Sequence, residues 1–336
     1  MLVPRCVKKK RLARVKKHQM HMRGTAQAPD EISGASRDIL IKKVTGLNLH
    51  PAHDTLAVEE PLEIQLGYGA ADARVARSIS VTMRTPGDDC SLAAGFLMTE
   101  GVVRDANDIE SIASWAERTP DQFAAKPSAL PYDPGRNVVR VELAPDVVVS
   151  LATLERNFYT TSSCGICGKA SLLALQTVCP PRMTNTFFIS ASILYLLPDR
   201  LLKAQRLFNR TGGLHGAGLF DSQGKLLDVR EDVGRHNAVD KLLGAEFLAD
   251  RTPLRNTLLL LSGRASFELL QKALMGGVSM VASVGAPSSL AVQVAKEFNI
   301  SLVGFLRPNH FNIYHGEEHI FGYTQPLERS KYEITN

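Results

Sequence analysis

The sequence predicts an α/β protein: a three-layer α/β/α domain over residues 156–330, a smaller α+β domain over 41–155, and a basic tail over 1–40. Three observations carry this reading. The second half alternates continuous apolar runs with segments of helix length, the pattern of a parallel sheet covered by helices. The first half mixes short alternating strands with one helical run. The charge is lopsided: the first 23 residues hold nine cations and no acid, so the net charge of +5 leaves the rest of the chain at −4.

Taken in order, the tail lacks the roughly 7–15-residue apolar stretch of a secretory signal and reads as a solvated, disordered extension rather than a nucleic-acid or membrane arm. "ILIKKVTG" and "EEPLEIQLGYG" then alternate as short strands. "SISVTMRTPGDDCSLAAGFLMTEGVV" reads as a strand, a Pro-Gly turn, a helix capped by Asp88 or Asp89, and a stop at Gly101. A Pro- and Gly-rich loop, "RTPDQFAAKPSALPYDPGR", precedes a strand pair in "RNVVRVELAP" and "VVVSL".

In the second half, "SILYLLPDRLLKAQRLFNRTGG" reads as a helix started or interrupted at Pro198 and stopped by Gly212 and Gly213. "LHGAGLFDSQGKLLDVRED" places two apolar runs around a Ser-Gln-Gly turn, a hairpin. Val239, Leu242, Leu243 and Phe247 share one face of a helix in "GRHNAVDKLLGAEFL". "TLLLLS", "VSMVASVG" and "ISLVGFLR" are buried strands. "GRASFELLQKALMGG" and "APSSLAVQVAKEFN" are the helices joining them, the latter with Leu290, Val294 and Phe298 on one face.

At 336 residues, 44% apolar and 22% charged, the chain suits two soluble domains. No apolar run approaches the roughly 18 residues that cross a bilayer, so no membrane insertion is expected, and the acidic body gives no reason to expect nucleic acid. The five cysteines, Cys6, Cys90, Cys164, Cys167 and Cys179, are odd in number and sparse. A disulfide framework is not expected, and a cytoplasmic location is the default.

Ligands of open parallel sheets bind off the carboxyl ends of the strands, where helix N-termini offer unpaired N–H groups. Three segments should share that rim: "SGRAS" (Ser262, Gly263, Arg264, Ala265, Ser266), "GAPSS" (ending Ser288, Ser289) and "FLRPNH" (Phe305, Leu306, Arg307, Pro308, Asn309, His310). Glycines permit close approach, serines donate or cap, Arg264 and Arg307 can clamp phosphate, and Phe305 offers a stacking face. Capping and turning explain any one segment alone. Three together, two of them with an arginine, point to a nucleotide-like ligand.

"TTSSCGICGKASLL" sets Cys164 and Cys167 two residues apart, ahead of a helix-like run that would lower a thiol pKa. Zinc would need about four ligands, and no second pair supplies them. A thioredoxin-like dithiol normally follows a buried strand, whereas here a polar approach precedes the pair. A low-pKa thiolate on an accessible loop also suits sulfur relay. Spacing alone leaves relay and redox chemistry both open.

"TSSCGICGKASL", "RTGGLHGAGLFDSQGKLLDVREDVGRHNAVDKLLG", "LLLLSGRASFELLQKALMGGVSMVASVGAPSSLAVQVAKEFNISLVGFLR", "VEEPLEIQL" and "RTPGDDCSLAAGFLMTEGVV" together resemble the FdhD family of formate dehydrogenase accessory sulfurtransferases, from about residue 55 to about residue 320. The resemblance implies a persulfide taken from a cysteine desulfurase onto Cys164, with Cys167 assisting, and passed to the bis-molybdopterin guanine dinucleotide (Mo or W) destined for apo formate dehydrogenase. It implies cofactor binding through Phe305 to His310, a homodimer, and a cytidine-deaminase-like fold. Deaminases carry His-x-Glu and Pro-Cys-x-x-Cys at two helix starts. The matching places here, around His236 and Arg264, lack the glutamate and both cysteines, so no zinc is expected. The turn at Gly234, Arg235, His236 and Asn237 is expected near the cofactor, while Asp232 and Asp240 cap or pair with basic groups. The alternative reading is a non-catalytic cofactor-binding chaperone with redox or structural cysteines.

Overall fold

The computed structural model describes residues 34–114, 137–149 and 185–324. β1 (Ser36–Thr45) and β2 (Asn48–Ala57) pair antiparallel through a tip at Gly46 and Leu47, and form a two-stranded sheet of their own. β1 begins inside the segment assigned to the tail. β2 carries no strand signal in the sequence, since Asn48, Pro51, His53 and Asp54 are poor strand formers.

β3 (Glu60–Tyr68), β4 (Val75–Arg84), α1 (Asp89–Thr99), β5 (Ile109–Ser114) and β6 (Val138–Leu143) follow. The strands form a mixed sheet in the order β4-β3-β6-β5. Alternate residues Leu62, Ile64 and Leu66 of β3 and Val139, Val141 and Leu143 of β6 are buried, as the two-residue strand period requires. The cap expected at α1 is replaced by ion pairs. Asp88 holds the N-cap position at φ 56° with no side-chain capping bond, its carboxylate lying 3.5 Å from Arg230, and Asp89 pairs with Arg84 at 2.9 Å. Val147 to Val149, read as strand, have no regular structure.

The helix read over 192–213 is three short ones. After β7 (Ile189–Ser190) come α2 (Ala191–Leu194), α3 (Leu197–Ala204) with Pro198 in its first turn, and α4 (Arg206–Thr211), ended by Gly212 at φ 66°. The Glu231 carboxylate accepts the Leu207 and Phe208 N–H groups at the start of α4, which is why the chain restarts there.

β8 (His215–Phe220) and β9 (Leu226–Asp232) make the expected hairpin, followed by α5 (Arg235–Leu248), β10 (Leu258–Leu261), α6 (Phe267–Met275), β11 (Met280–Ser283), α7 (Ser289–Phe298), β12 (Ser301–Arg307), β13 (His310–His315) and β14 (Ile320–Phe321). Six strands order as β13-β12-β11-β10-β8-β9. β10, β11 and β12 run parallel, with β8 and β13 antiparallel on either side. Leu259, Leu261, Val281 and Leu302 share a core with α5, α6 and α7, while Leu258, Leu260, Met280 and Val303 share one with α2 and α3. The expected three layers result.

α1 lies across α5 with no side chain between them at the crossing. A Cβ on Gly95 would fall 1.9 Å from the Asp240 carbonyl oxygen, and one on Gly244 1.9 Å from that of Ser91. The same apolar core therefore runs from β3 and β6 through α1 and α5 to β10 and β11. Two buried ion pairs flank the crossing: Lys241 with Asp232 at 2.7 Å and Lys272 with Asp240 at 2.9 Å. Among the described residues no helix is long and apolar enough to cross a membrane.

Candidate functional site

The segments after β10, β11 and β12 are stitched together by backbone bonds. Gly285 N–H donates to Gly263 O at 2.8 Å, Ala265 N–H to Ala286 O at 3.1 Å, Ser288 N–H to Ala265 O at 2.9 Å, and Phe305 N–H to Gly285 O at 3.0 Å. Gly285 is required: a Cβ there would stand 3.0 Å from the Arg264 backbone. Ser262, Gly263, Arg264, Ser266, Ser288 and Phe305 thus lie on one ledge.

Their side chains are used differently. Ser262 Oγ accepts the Gly216 N–H at 2.8 Å and ties β10 to β8. Ser288 Oγ accepts the Ala291 N–H and caps α7. Both serve the fold. Ser266 precedes α6 without capping it, and its Oγ is buried with no hydrogen-bond partner. Arg264 is exposed.

His236 enters the ledge from the first turn of α5. Asp232 sets that turn: its Oδ1 accepts the Gly234 N–H and the Asn237 side chain, while its Oδ2 accepts the Thr85 N–H and faces Lys241. Asp232 and Asp240 pair with basic groups, as read from the sequence. His236 Nε2 is buried without a hydrogen bond, 3.8 Å from Glu268 Oε2. The imidazole beside it holds the Glu268 carboxyl down at about 2. His215 backs onto Gly263; burial, then the charges of Arg235 and His236, push its pKa below the usual histidine value.

The Phe305–His310 segment divides. Phe305 takes φ 53°, a strained conformation for a non-glycine residue, and is exposed at the end of β12. Leu306 is a core side chain packed on the α2–α3 side of the sheet, so it offers a ligand nothing. Arg307 folds back, its Nη1 donating to Val284 O at 2.6 Å. Pro308 and Asn309 form the turn into β13. Asn309 and His310 line a cavity of about 700 Å³ with Tyr195, Phe311, Glu317 and Tyr323, which runs along the edge strand.

Cys164 and Cys167 lie outside the described residues. Cys90, the one cysteine within them, is disulfide-bonded, which the sparse cysteine count did not suggest. Among the described residues no group of three or more His, Cys, Asp or Glu side chains could hold a metal ion. Sequence reasoning missed Glu268, since an acid in the first turn of a helix reads as a response to the helix dipole. It also missed Tyr195 and Tyr323, which reach the cavity from segments with no motif.

The family model described as the FdhD/NarQ family matches residues 57–321, close to the span of the motif resemblance. Sulfur carrier protein FdhD of Streptomyces avermitilis is 51% identical over 269 residues, covering 80% of this chain and 89% of that protein. That of Mycobacterium tuberculosis is 48% identical over 264 residues, covering 78% and 90%. The crystal structure of a putative formate dehydrogenase accessory protein from Desulfotalea psychrophila superposes with a TM-score of 0.62 at 23% identity, covering 85% of this chain and 100% of that one. At that identity the likeness shows the fold.

Proposed function

The chain belongs to the FdhD/NarQ family, and from that premise we propose that it carries sulfur, as a persulfide, from a cysteine desulfurase to the bis-molybdopterin guanine dinucleotide destined for apo formate dehydrogenase in the cytoplasm. Loading is thiol exchange: the Cys164 thiolate attacks the terminal sulfur of the donor persulfide, a new S–S bond forms, and the donor cysteine leaves as thiolate. Cys167 assists. The acceptor binds as substrate on the ledge, and the carrier works as a homodimer.

The observation that carries the ligand part is that two buried polar atoms make no hydrogen bond within the chain, Ser266 Oγ and His236 Nε2, the latter facing Glu268 Oε2 only at 3.8 Å. Buried polar groups are normally hydrogen-bonded, and each exception calls for a partner. A dinucleotide supplies phosphate and base acceptors. Arg264 and the N–H groups opening α6 would meet the phosphates, Phe305 would stack on a base, and Asn309 and His310 would bound the far side. The three-layer domain fits a cytidine-deaminase-like ancestry with the chemistry removed: His236 is followed by Asn237 and Ala238 rather than a glutamate two residues on, and no cysteine flanks Arg264.

Titration with guanosine diphosphate tests the ledge. Ser266→Ala and Arg264→Ala should each weaken binding about tenfold, the worth of a charge-assisted or buried hydrogen bond. Intact-mass analysis after incubation with desulfurase and cysteine should show added sulfur that Cys164→Ala abolishes; loss in Cys167→Ala alone would reverse the two roles. A binding chaperone is the second reading, favoured by the described ledge side chains, Arg264, Ser266 and Phe305, which suit holding a ligand rather than transforming it. It wins if a Cys164→Ala, Cys167→Ala double variant still supports active formate dehydrogenase in cells. Stoichiometric zinc in purified protein would instead favour a deaminase.

A further inference from the structure

Glu268 puts a negative charge on a ledge that is read as holding phosphates. It lies in the first turn of α6, two residues past Ser266 and four past Arg264. Its side chain is 60% exposed, with Oε2 3.8 Å from His236 Nε2. Among Arg264, Ser266, Glu268, Phe305 and His236 it is the only carboxylate. The neighbouring imidazole keeps it ionised, with its pKa at about 2, so it meets a ligand as an acceptor and never as a donor. The helix dipole accounts for an acid in a first turn. It does not account for one that stands open on a ligand seat, where it repels any phosphate brought against it.

Arg264 and Phe305 cannot tell one base from another. Arg264 pairs with phosphate, which every nucleotide carries, and Phe305 stacks on a ring face, which every base has. Choice among bases comes from hydrogen bonds to the base edge, and the edge that suits an ionised carboxylate is one with two adjacent donors. Guanine has it: N1–H and the 2-amino group point the same way, at the spacing of two carboxylate oxygens. Adenine turns an acceptor, N1, in that direction and would set a lone pair against the carboxylate. Placing the base edge at Glu268 also removes the conflict of charge, because the phosphates then lie toward Arg264.

We infer that Glu268 selects guanine, its two carboxylate oxygens accepting the N1–H and a 2-amino hydrogen of the base, much as a carboxylate accepts the fork of a guanidinium. The inference rests on the nucleotide reading of the ledge and adds to it the group that gives base preference. A site built to pair with donors rejects analogues that lack them, since its acceptor is then left facing another acceptor or nothing.

Titration calorimetry of the full chain with four nucleoside diphosphates tests it. The wild type should bind guanosine diphosphate about tenfold more tightly than inosine diphosphate, which lacks the amino group, and about a hundredfold more tightly than adenosine diphosphate, since each charge-assisted hydrogen bond contributes about tenfold or more. Glu268→Gln keeps the size and removes the charge. The new amide oxygen still accepts the N1–H, but the new NH2 opposes the guanine amino group and donates instead to the 2-carbonyl oxygen of xanthine. The variant should therefore bind guanosine diphosphate at least about tenfold more weakly and prefer xanthosine diphosphate to it, the reverse of the wild-type order. A residue that merely supported the helix would not exchange one base for another. Arg264→Ala, by contrast, should weaken all four ligands alike. The wild-type order is read without any variant, so a misfolded variant does not shelter the inference. Equal binding of guanosine and adenosine diphosphates by the wild type overturns it and leaves the nucleotide site standing, as does a Glu268→Gln variant that still prefers guanosine to xanthosine diphosphate. No binding of any diphosphate overturns the nucleotide reading itself, and the inference with it.

Discussion

At Glu268 the His236 imidazole is the largest influence on the charge, with the backbone and Ser266 adding to it. The His236 imidazole holds its carboxyl near 2, against an ordinary value of 4.5. A carboxyl depressed on folding contributes stability that is complete above about 4.5 and lost as pH falls toward 2. Because Glu268 is largely exposed, solvent screens most of that energy, and titration is the better readout. Followed by NMR, the Glu268 carboxyl should titrate near 2 in the wild type and move toward 4.5 in His236→Ala; an unmoved midpoint would remove His236 as the cause. The buried pair of Lys241 and Asp232 behaves differently. Asp232→Ala strands an ammonium in the interior and should cost about 3–5 kcal/mol in denaturant unfolding. That these aspartates pair with basic groups was legible in the sequence, since acids beside helix starts with lysines a turn or more on have few other uses. The division among the serines was not. Ser262, Ser266 and Ser288 read alike, yet only the fold decides that two oxygens meet backbone N–H groups and the third meets none.

The elements that were legible are those whose residues face one environment throughout. Leu258–Leu261 and Met280–Ser283 are buried on both faces, so they read as apolar runs that only a central parallel strand explains. β2, β5 and β13 escaped because they lie at edges or stand free, where water and core alternate without a pattern. The helix over 192–213 broke in three because Glu231, far along the chain, caps its last piece. The crossing of α1 and α5 was equally hidden, as a glycine inside a helix normally reads as a weakness. Its role yields a direct prediction. Gly95→Ala would gain about 1 kcal/mol in helix propensity, but a methyl carbon 1.9 Å from the Asp240 carbonyl forces the helices apart. The net should be a loss of about 3 kcal/mol, measured by thermal or urea unfolding; a stabilised variant would show that the contact gives way easily.

Across the whole molecule, the apolar core ignores the division into two halves that composition suggested. Side chains of β3 and β6 share one buried cluster with those of β10 and β11, and the helix crossing and its flanking ion pairs lie between them. Calorimetry should therefore show one cooperative transition over the described body, with the van't Hoff and calorimetric enthalpies in agreement. Two resolved peaks would mean that the halves melt independently. The stitched ledge inherits this stiffness. Gly263, Gly285 and Phe305 are links of one chain of amide bonds, so no strand end can shift without dragging its neighbours. Whatever docks there finds a seat that the described strand ends have already formed. Saturation with a nucleotide should leave the exchange rates of those three amides where they were, while the exposed side chains of Arg264 and Phe305 lose their freedom.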